Sequence, residues 1–483
     1  MAEAAKGAAL EPVIGLEIHV QLSTRTKMFC GCAVTFGDEP NTHTCPVCLA
    51  HPGVLPVTNE AAIRYALQIG LALECEVAPR SIFHRKNYFY PDNPKAYQIS
   101  QYDEPLAVGG RLGEVRIHRV HLEEDAAKMI HVGESGRIHG SGESLVDFNR
   151  AGTPLVEIVT EPDIRSAAQA REWAQLLRTT VRQLGVSDVN MEEGSLRVDA
   201  NVSVRPAGTE ELGTKAELKN MNSFRFLERG IEAELERQRT LVDAGGQVEQ
   251  ETLHFDPASG TLTPLRSKEE AHDYRYFPEP DLVPLAPTEE MLGAARQALP
   301  ELPAARAARY EEMGLAPDAA QRLAADPETG EWFERAAEAA DAEPRVVANW
   351  VTGELAAALR QDGGDGTAAQ SSVSPQALAD LIGLVSARRI SHGSGKQVLA
   401  ILVAEGGEPA AIVEREGLAQ ISDSGELESI VAAAIEANPE AADEVRAGNS
   451  KAAGVIVGAV MKETRGRADG GEVSRLIREQ LAG

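Results

Sequence analysis

The segment VIGLEIHVQL, residues 13–22, alternates strictly: Ile14, Leu16, Ile18, Val20 and Leu22 share one side, and Gly15, Glu17, His19 and Gln21 share the other. A period of two belongs to a strand, because successive side chains leave opposite faces of a pleated backbone. The pattern returns in LRVDANVSVRP, where Leu196, Val198, Ala200, Val202 and Val204 oppose Arg197, Asp199, Asn201, Ser203 and Arg205. It returns again in TKAELKN, where Lys215, Glu217 and Lys219 oppose Ala216 and Leu218. Strands with one apolar and one polar face build antiparallel sheets covered on one side. A face that is merely wet would carry long, interchangeable charges. These faces carry short carboxylates, amides, a histidine and isolated cations, and HLEEDAAK (Glu123, Glu124, Asp125) and PLVEIVTEPD (Glu157) add more carboxylates. Several strands are therefore expected to turn carboxylates and cations toward one cavity.

Directly after the first strand, CGCAVTFGDEPNTHTCPVC places four of the five cysteines at Cys30, Cys32, Cys45 and Cys48. The chain shows no apolar run near the roughly 20 residues a membrane helix needs, and MAEAAKGAALEP lacks the basic and apolar regions of a signal peptide. The expectation is a cytoplasmic protein with reduced thiols, in which close cysteines are metal ligands or redox pairs rather than disulfides. Two knuckles of paired thiolates suit a tetrahedral ion with bonds of about 2.3 Å and leave no position open for substrate, which describes structural zinc. Unligated thiols and an iron–sulfur or redox site are the alternatives. Cys75, in the apolar helical pattern AAIRYALQIGLALEC, reads as a small core residue.

Carboxylates with one histidine and nearby cations suit Mg²⁺, which binds through one or two carboxylates together with substrate phosphates. Nucleotide-dependent phosphoryl transfer fits this set. No G-x-x-x-x-G-K-[ST] loop is present, and no strand leads into G-x-G-x-x-G. Ligand spacing alone does not separate such an enzyme from a wet electrostatic surface.

The runs VIGLEIHVQL, FHRKNYFYPDNPKAYQISQYDEP, HLEEDAAK, LVDFNRAGTPLVEIVTEPDIRS, MEEGSLRVDANVSVRP, TKAELKNMNSF and DYRYFPEPDL occur in this order. Together they resemble the B subunit of the glutamine-dependent aminoacyl-tRNA amidotransferases, over roughly residues 12 to 285 and more weakly to the C-terminus. The resemblance implies a carbon–nitrogen ligase in a heterotrimer with an amidase A subunit and a small C subunit. Such an enzyme uses ATP and Mg²⁺ to phosphorylate the side-chain carboxylate of Glu-tRNA(Gln) or Asp-tRNA(Asn), and ammonia from the A subunit then displaces phosphate. A carboxylate is a poor acyl donor because oxide would have to leave, whereas an acyl phosphate releases phosphate. The fold implied is α+β: a curved antiparallel-sheet cradle similar to glutamine synthetase, followed by all-α helical and tail domains. Carried over motif by motif, Glu17, His19 and Glu124 are the implied Mg²⁺ ligands, with Glu123 the register alternative. Asp199 and Glu217 become further metal-binding or orienting carboxylates, with Lys219 near the phosphates. Arg85 and Lys86 are implied to contact phosphate or the tRNA acceptor end, and the four-cysteine window fits the members that carry zinc.

The domain expectation is a disordered N-terminus over 1–11, a catalytic cradle over 12–292 with its zinc segment at 30–48, a helical domain over 293–408 and a tRNA-contacting helical tail over 409–483. NWVTGELAAALR reads as a helix, DGGDGTAAQSSVSP as a linker whose Ser374 and Pro375 cap the helix SPQALADLIGLVSARR, and a break is expected after GLAQISDSGE. A net charge of −27 argues against a polyanion partner. From Arg446 to Gly483, however, seven basic residues (Arg446, Lys451, Lys462, Arg465, Arg467, Arg475, Arg478) face four acids, so the tail is locally basic. Two functions compete: the catalytic half of an amidotransferase, or a noncatalytic scaffold holding tRNA in the same complex. Carboxylates set into apolar strands favour the first.

Overall fold

All of VIGLEIHVQL but its last residue, Leu22, lies in β1, Leu10–Gln21, with Ile14, Leu16, Ile18 and Val20 buried and Glu17, His19 and Gln21 half-buried. This computed structural model describes residues 9–132, 141–257, 259–266, 274–361, 367–419, 424–446, 449–464 and 467–482. Residues 1–8, 362–366, 420–423 and Arg465 fall outside the described residues. The disorder expected over 1–11 does not extend to Leu10 and Glu11, which pair with Pro206 and Arg205 as the start of β1. The break expected after GLAQISDSGE is not found, because the helix Ser424–Ala437 runs through that point.

The further strands are β2 (Glu76–Val77), β3 (His84–Asn87), β4 (Tyr97–Ser100), β5 (Ala107–Leu112), β6 (Val115–Glu124), β7 (Lys128–Val132), β8 (Glu143–Asp147) and β9 (Pro154–Thr160). They continue with β10 (Leu196–Pro206), β11 (Ala216–Met221), β12 (Thr252–Asp256), β13 (Thr261–Arg266) and β14 (Phe277–Pro278). Nine of them form one sheet in the order β13-β12-β11-β10-β1-β9-β6-β5-β2. Its pairings are antiparallel except β11 with β12, which run parallel. The exception has a cause in the chain, because a parallel return needs a crossover and the helix Phe224–Asp243 lies between those two strands. The two longest alternating segments, β1 and β10, pair with each other over their whole length, from Leu10 opposite Pro206 to Val20 opposite Leu196.

The apolar face is covered by helices. These are α1 (Glu60–Ala72), α2 (Ala167–Gln183), α3 (Phe224–Asp243) and α4 (Glu289–Gln297), capped at their N-termini by the side chains of Asn59, Ser166, Ser223 and Thr288. In α2, Ala170, Trp173, Ala174, Leu177 and Val181 recur at helical spacing and are buried. The Trp173 indole N–H donates to the Leu112 carbonyl at 2.9 Å, so the largest ring of that stripe enters the core with its polar atom satisfied. Leu227, Ile231 and Leu235 do the same for α3, and Ala295 brings α4 into the same core. Each large side chain buried there contributes about 1.5–3 kcal/mol. Cys75 is buried in this core, where burial pushes its thiol up to about 12. A close approach fixes Gly110 in β5: a Cβ there would stand 2.4 Å from the Leu73 carbonyl oxygen.

Residues 1–302 form one compact unit and 303–483 a second. Two small sheets belong to the first: β14-β3-β4, and the hairpin β7-β8. The second unit is helical and has two apolar cores among its described residues. One is built from Tyr310, Phe333, Trp350, Leu378, Leu402 and Leu418 among others, the other from Leu427, Val431, Ile456, Val460, Val473 and Ile477 among others. Ser374 caps the helix Pro375–Ser386, whose first residue is proline. NWVTGELAAALR is helical but uneven: Trp350–Leu355 is wound as a π-helix before Ala356–Gln361 returns to α, and Thr352 donates its hydroxyl to the Ala348 carbonyl at 2.8 Å. Among the described residues no helix is long and apolar enough to cross a membrane.

Candidate functional site

Antiparallel pairing sets side chains from neighbouring strands directly opposite one another on one face. His19 of β1 faces Arg197 of β10 on one side and Glu157 of β9 on the other, and Glu157 faces His121 of β6. Arg197, His19, Glu157 and His121 thus make one row across four strands, on the face opposite the apolar core. Glu123, two residues beyond His121, enters the same group. The His19 Nε2 atom lies 3.5 Å from Glu157 and 3.7 Å from Glu123, and the His121 Nε2 atom 3.5 Å and 3.8 Å from the same two carboxylates.

The electrostatics match that crowding. Burial would depress the His19 pKa, but the carboxylates of Glu157 and Glu123 outweigh it and raise it above the usual 6.5. Burial would raise Glu123 and Glu157; His121, His19 and Lys86 outweigh it, holding Glu123 below the usual carboxylate range and Glu157 well below it. Lys86 adds a cation beside the group: burial lowers its pKa, and Glu123, Tyr276 and Glu157 more than restore it. Ser100 donates its hydroxyl to Glu123 at 3.1 Å. One ligand atom from each of His19, Glu123 and Glu157 falls within 4.8 Å of the others, close enough to hold a single ion. Two carboxylates and an imidazole suit a divalent cation that keeps positions for phosphate or water.

A second set lies beside it. Lys219 Nζ is 3.0 Å from Glu217 and 3.7 Å from Asp199; Asn201 donates to Glu17 at 3.0 Å and Thr252 to Glu217 at 3.0 Å. Glu17, Asp199, Glu217 and Lys219 therefore occur together, next to the histidine–carboxylate group and separate from its ion-sized cluster. Glu124 is not brought to His19. Its carboxylate pairs with Lys95 and accepts the Ile99 N–H at 3.0 Å, in the wall of a cavity of about 250 Å³ that also touches Lys27 and Cys48. Arg85 is engaged elsewhere, donating to both oxygens of buried Glu279 at 2.7 and 2.8 Å beneath the Tyr97 ring. Lys86, its neighbour on β3, is the member of that pair whose ammonium feels the charges of Glu123 and Glu157.

Glu157, His121 and Arg197 are residues of this group to which motif reasoning gave no role. All three were legible: Glu157 is a lone carboxylate between Val156 and Ile158, the alternation Val120, Leu122, Glu124 assigns His121 and Glu123 to the opposite, polar side of β6, and Arg197 falls on the polar side of LRVDANVSVRP. Asp125 closes the edge of the face, 3.0 Å from Arg197 and accepting from Gln21 at 2.6 Å.

The four thiols of Cys30, Cys32, Cys45 and Cys48 also converge within 4.8 Å of one another, and none forms a disulfide. The donor set and its closed geometry fit a structural Zn²⁺. The Cys48 thiol is lowered to about 4, by the Cys30 thiol first, and also by the Cys45 backbone N–H and the ammonium of Lys27. Lys27 is itself buried, and its Nζ donates to the carbonyls of His43 at 2.8 Å and Phe148 at 3.0 Å and stands 3.6 Å from the Cys48 sulfur. It ties the cysteine window to the turn before β9.

Residues 12–293, which carry this histidine–carboxylate face, match the family model described as the GatB/GatE catalytic domain. Residues 331–481 match a second, the GatB domain. The B subunit of the aspartyl/glutamyl-tRNA(Asn/Gln) amidotransferase of Brevibacillus brevis is 50% identical over 480 residues, covering 98% of each chain. That of Persephonella marina is 48% identical over 98% of this chain and 99% of its own, and that of Geobacter sulfurreducens 49% identical over the same shares. The chain belongs to the family of aspartyl/glutamyl-tRNA(Asn/Gln) amidotransferase B subunits.

Proposed function

We propose that this chain activates the side-chain carboxylate of Glu-tRNA(Gln), Asp-tRNA(Asn) or both by ATP-dependent phosphorylation and completes amidation with ammonia. The observation that supports this most is the cluster of His19, Glu123 and Glu157 on an open sheet face, with Lys86 and Arg197 beside it. A divalent cation held by those three residues supplies charge neutralisation for phosphoryl transfer. Lys86 and Arg197 add fixed positive charge where phosphate oxygens gather negative charge, and the ordered face leaves little to reorganise during the reaction. Glu17, Asp199, Glu217 and Lys219 form the adjoining rim that orients the nucleotide or the second carboxylate. Zn²⁺ at the four cysteines braces the edge of the cradle. In this reading the cradle is of the glutamine synthetase kind, the complex is cytoplasmic and contains an amidase A subunit and a C subunit, and the helical segments 293–408 and 409–483 hold tRNA, the latter with exposed Lys451, Lys462 and Arg478. The test is reconstitution of the chain with its A and C partners. ATP-dependent conversion of misacylated Glu-tRNA(Gln) or Asp-tRNA(Asn) supports the proposal; absence of conversion with both substrates contradicts it.

A further inference from the structure

The small sheet β14-β3-β4 carries an unusual share of the chain's exposed aromatic surface. Tyr102, just after β4, stacks on Tyr276, just before β14, with ring centroids 4.3 Å apart and planes within 9°. Tyr274 meets Tyr276 edge-on at 6.0 Å. Although stacked, Tyr102 remains 57% exposed, and Phe89, Tyr90 and Phe277 on the same small sheet and its turn are 86%, 42% and 43% exposed. Only 4% of the chain is aromatic, so this grouping is not a by-product of composition. Tyr102 also meets the His84 ring edge-on at 6.3 Å and still stays more than half exposed, and an exposed ring can stack on a nucleobase, which offers its own π-face.

The stack also stands next to the histidine–carboxylate cluster. The ammonium of Lys86 lies 4.8 Å from the centre of the Tyr274 ring, and the same ammonium answers to Glu123 and Glu157. Tyr276 in turn feels the charges of Lys86, Glu123 and Glu157. Contacts therefore run from Tyr102 through Tyr276 and Tyr274 to Lys86, whose ammonium feels the charges of the ion-sized site.

We infer that the Tyr102–Tyr276 stack is a subsite for the unpaired 3′-terminal adenine of the aminoacylated tRNA. The inference rests on the function proposed above, in which the reacting carboxylate is esterified to the ribose of that terminal nucleotide. That linkage requires the terminal base to stop within about one aminoacyl-ribose length of the metal-binding face, and Tyr276 is joined toward that face through the Tyr274 ring and the Lys86 ammonium. Openness favours a strand end arriving from solvent over the base of ATP, and the further exposed aromatics offer faces to the preceding unpaired bases.

The experiment uses tRNA carrying 2-aminopurine as its 3′-terminal base, titrated with the assembled complex. Stacking on tyrosine should quench the fluorophore in the wild type. Tyr102→Ala and Tyr102→Leu should abolish that quenching and weaken tRNA binding by about fivefold or more, the effect of losing one stacked base, while Tyr102→Phe keeps both. Leucine retains apolar volume and phenylalanine the ring, so loss of folding is separated from loss of a π-face. The KM for ATP should stay unchanged in all three variants. Undiminished quenching in Tyr102→Leu overturns the inference, and so does a rise in the KM for ATP with tRNA binding unaltered, which would make the stack the nucleotide's own base site. Because quenching reads binding alone, a wild-type complex that quenches yet never amidates would refute the proposed reaction and leave the subsite standing.

Discussion

His19 stands directly opposite Glu157 across the β1–β9 pairing, with its Nε2 atom 3.5 Å from the carboxylate. Burial disfavours the imidazolium, but Glu157 and Glu123 raise its pKa above 6.5, which widens the pH range over which His19 and Glu157 form an ion pair when no metal is bound. A group whose pKa rises on folding stabilises the fold fully below its unfolded value, and that contribution is lost as pH climbs through the raised folded value. An imidazolium cannot ligate a cation. Mg²⁺ binding must therefore expel this proton, and affinity should increase with pH until His19 is neutral. Calorimetry of the assembled complex in two buffers of different ionisation enthalpy should register proton release on Mg²⁺ addition near pH 7. Buffer-independent heats would remove His19 from the ligand set.

Lys27 makes a stability prediction. Its buried ammonium satisfies two carbonyls and faces the Cys48 sulfur, so Lys27→Met leaves the His43 and Phe148 carbonyls without their donor. A cost of about 2 kcal/mol or more is expected. It should appear as a lower thermal midpoint of the first unit, with the zinc content preserved, because no cysteine is touched. An unchanged midpoint would mean the two carbonyls find other partners.

For the cysteine window the expected stoichiometry is about one Zn²⁺ per chain. Replacing Cys45 by serine should release the metal and lower thermal stability more than it slows amidation at a temperature where the variant is folded, because four sulfurs leave no place for substrate. Metal analysis of reduced, unchelated protein that finds no zinc would refute the assignment.

Much of the first unit was legible because one face of each long strand is apolar. Ile14 to Leu22 and Leu196 to Val204 declared both strands and the side on which Glu17, His19 and Asp199 would emerge. The two adjacent carboxylates of HLEED show where a motif is weaker than parity. Glu124 shares the parity of Val120 and Leu122 and meets Lys95 and the Ile99 N–H, while Glu123 shares that of His121 and meets His19. The neighbour order was not legible. β1 sits between β9 and β10, strands that begin more than a hundred residues later, and only that order converts Glu157 from a lone carboxylate into the partner of His19. Stacking of Tyr102 on Tyr276 is of the same kind, a contact between residues 174 positions apart that no local pattern announces.

The tail can be tested by truncation at a boundary the cores define. Ile412 and Leu418 belong to the first apolar core of the helical unit, whereas the core from Leu427 to Leu481 is separate. A chain ending after residue 419 should keep the catalytic domain and the first helical core folded, yet bind tRNA about tenfold or more weakly, the loss expected if a few phosphate contacts leave with Lys451, Lys462 and Arg478. A shallower salt dependence of tRNA affinity should accompany it. Undiminished affinity would locate tRNA binding outside the tail.

The most direct measurement is ATP-dependent amidation by complexes carrying Glu157→Gln or Glu123→Gln, each nearly isosteric and neutral. With a carboxylate gone from the cluster, amidation of Glu-tRNA(Gln) and release of phosphate from ATP should fall together by about 10² or more, the scale of losing charge stabilisation in a transition state. Binding of the tRNA should change less than about twofold, since the bulk of its phosphate contacts lies elsewhere. Near wild-type amidation in both variants would contradict the account, leaving His19, Glu123 and Glu157 as an ion-pair cluster with no part in activating the carboxylate.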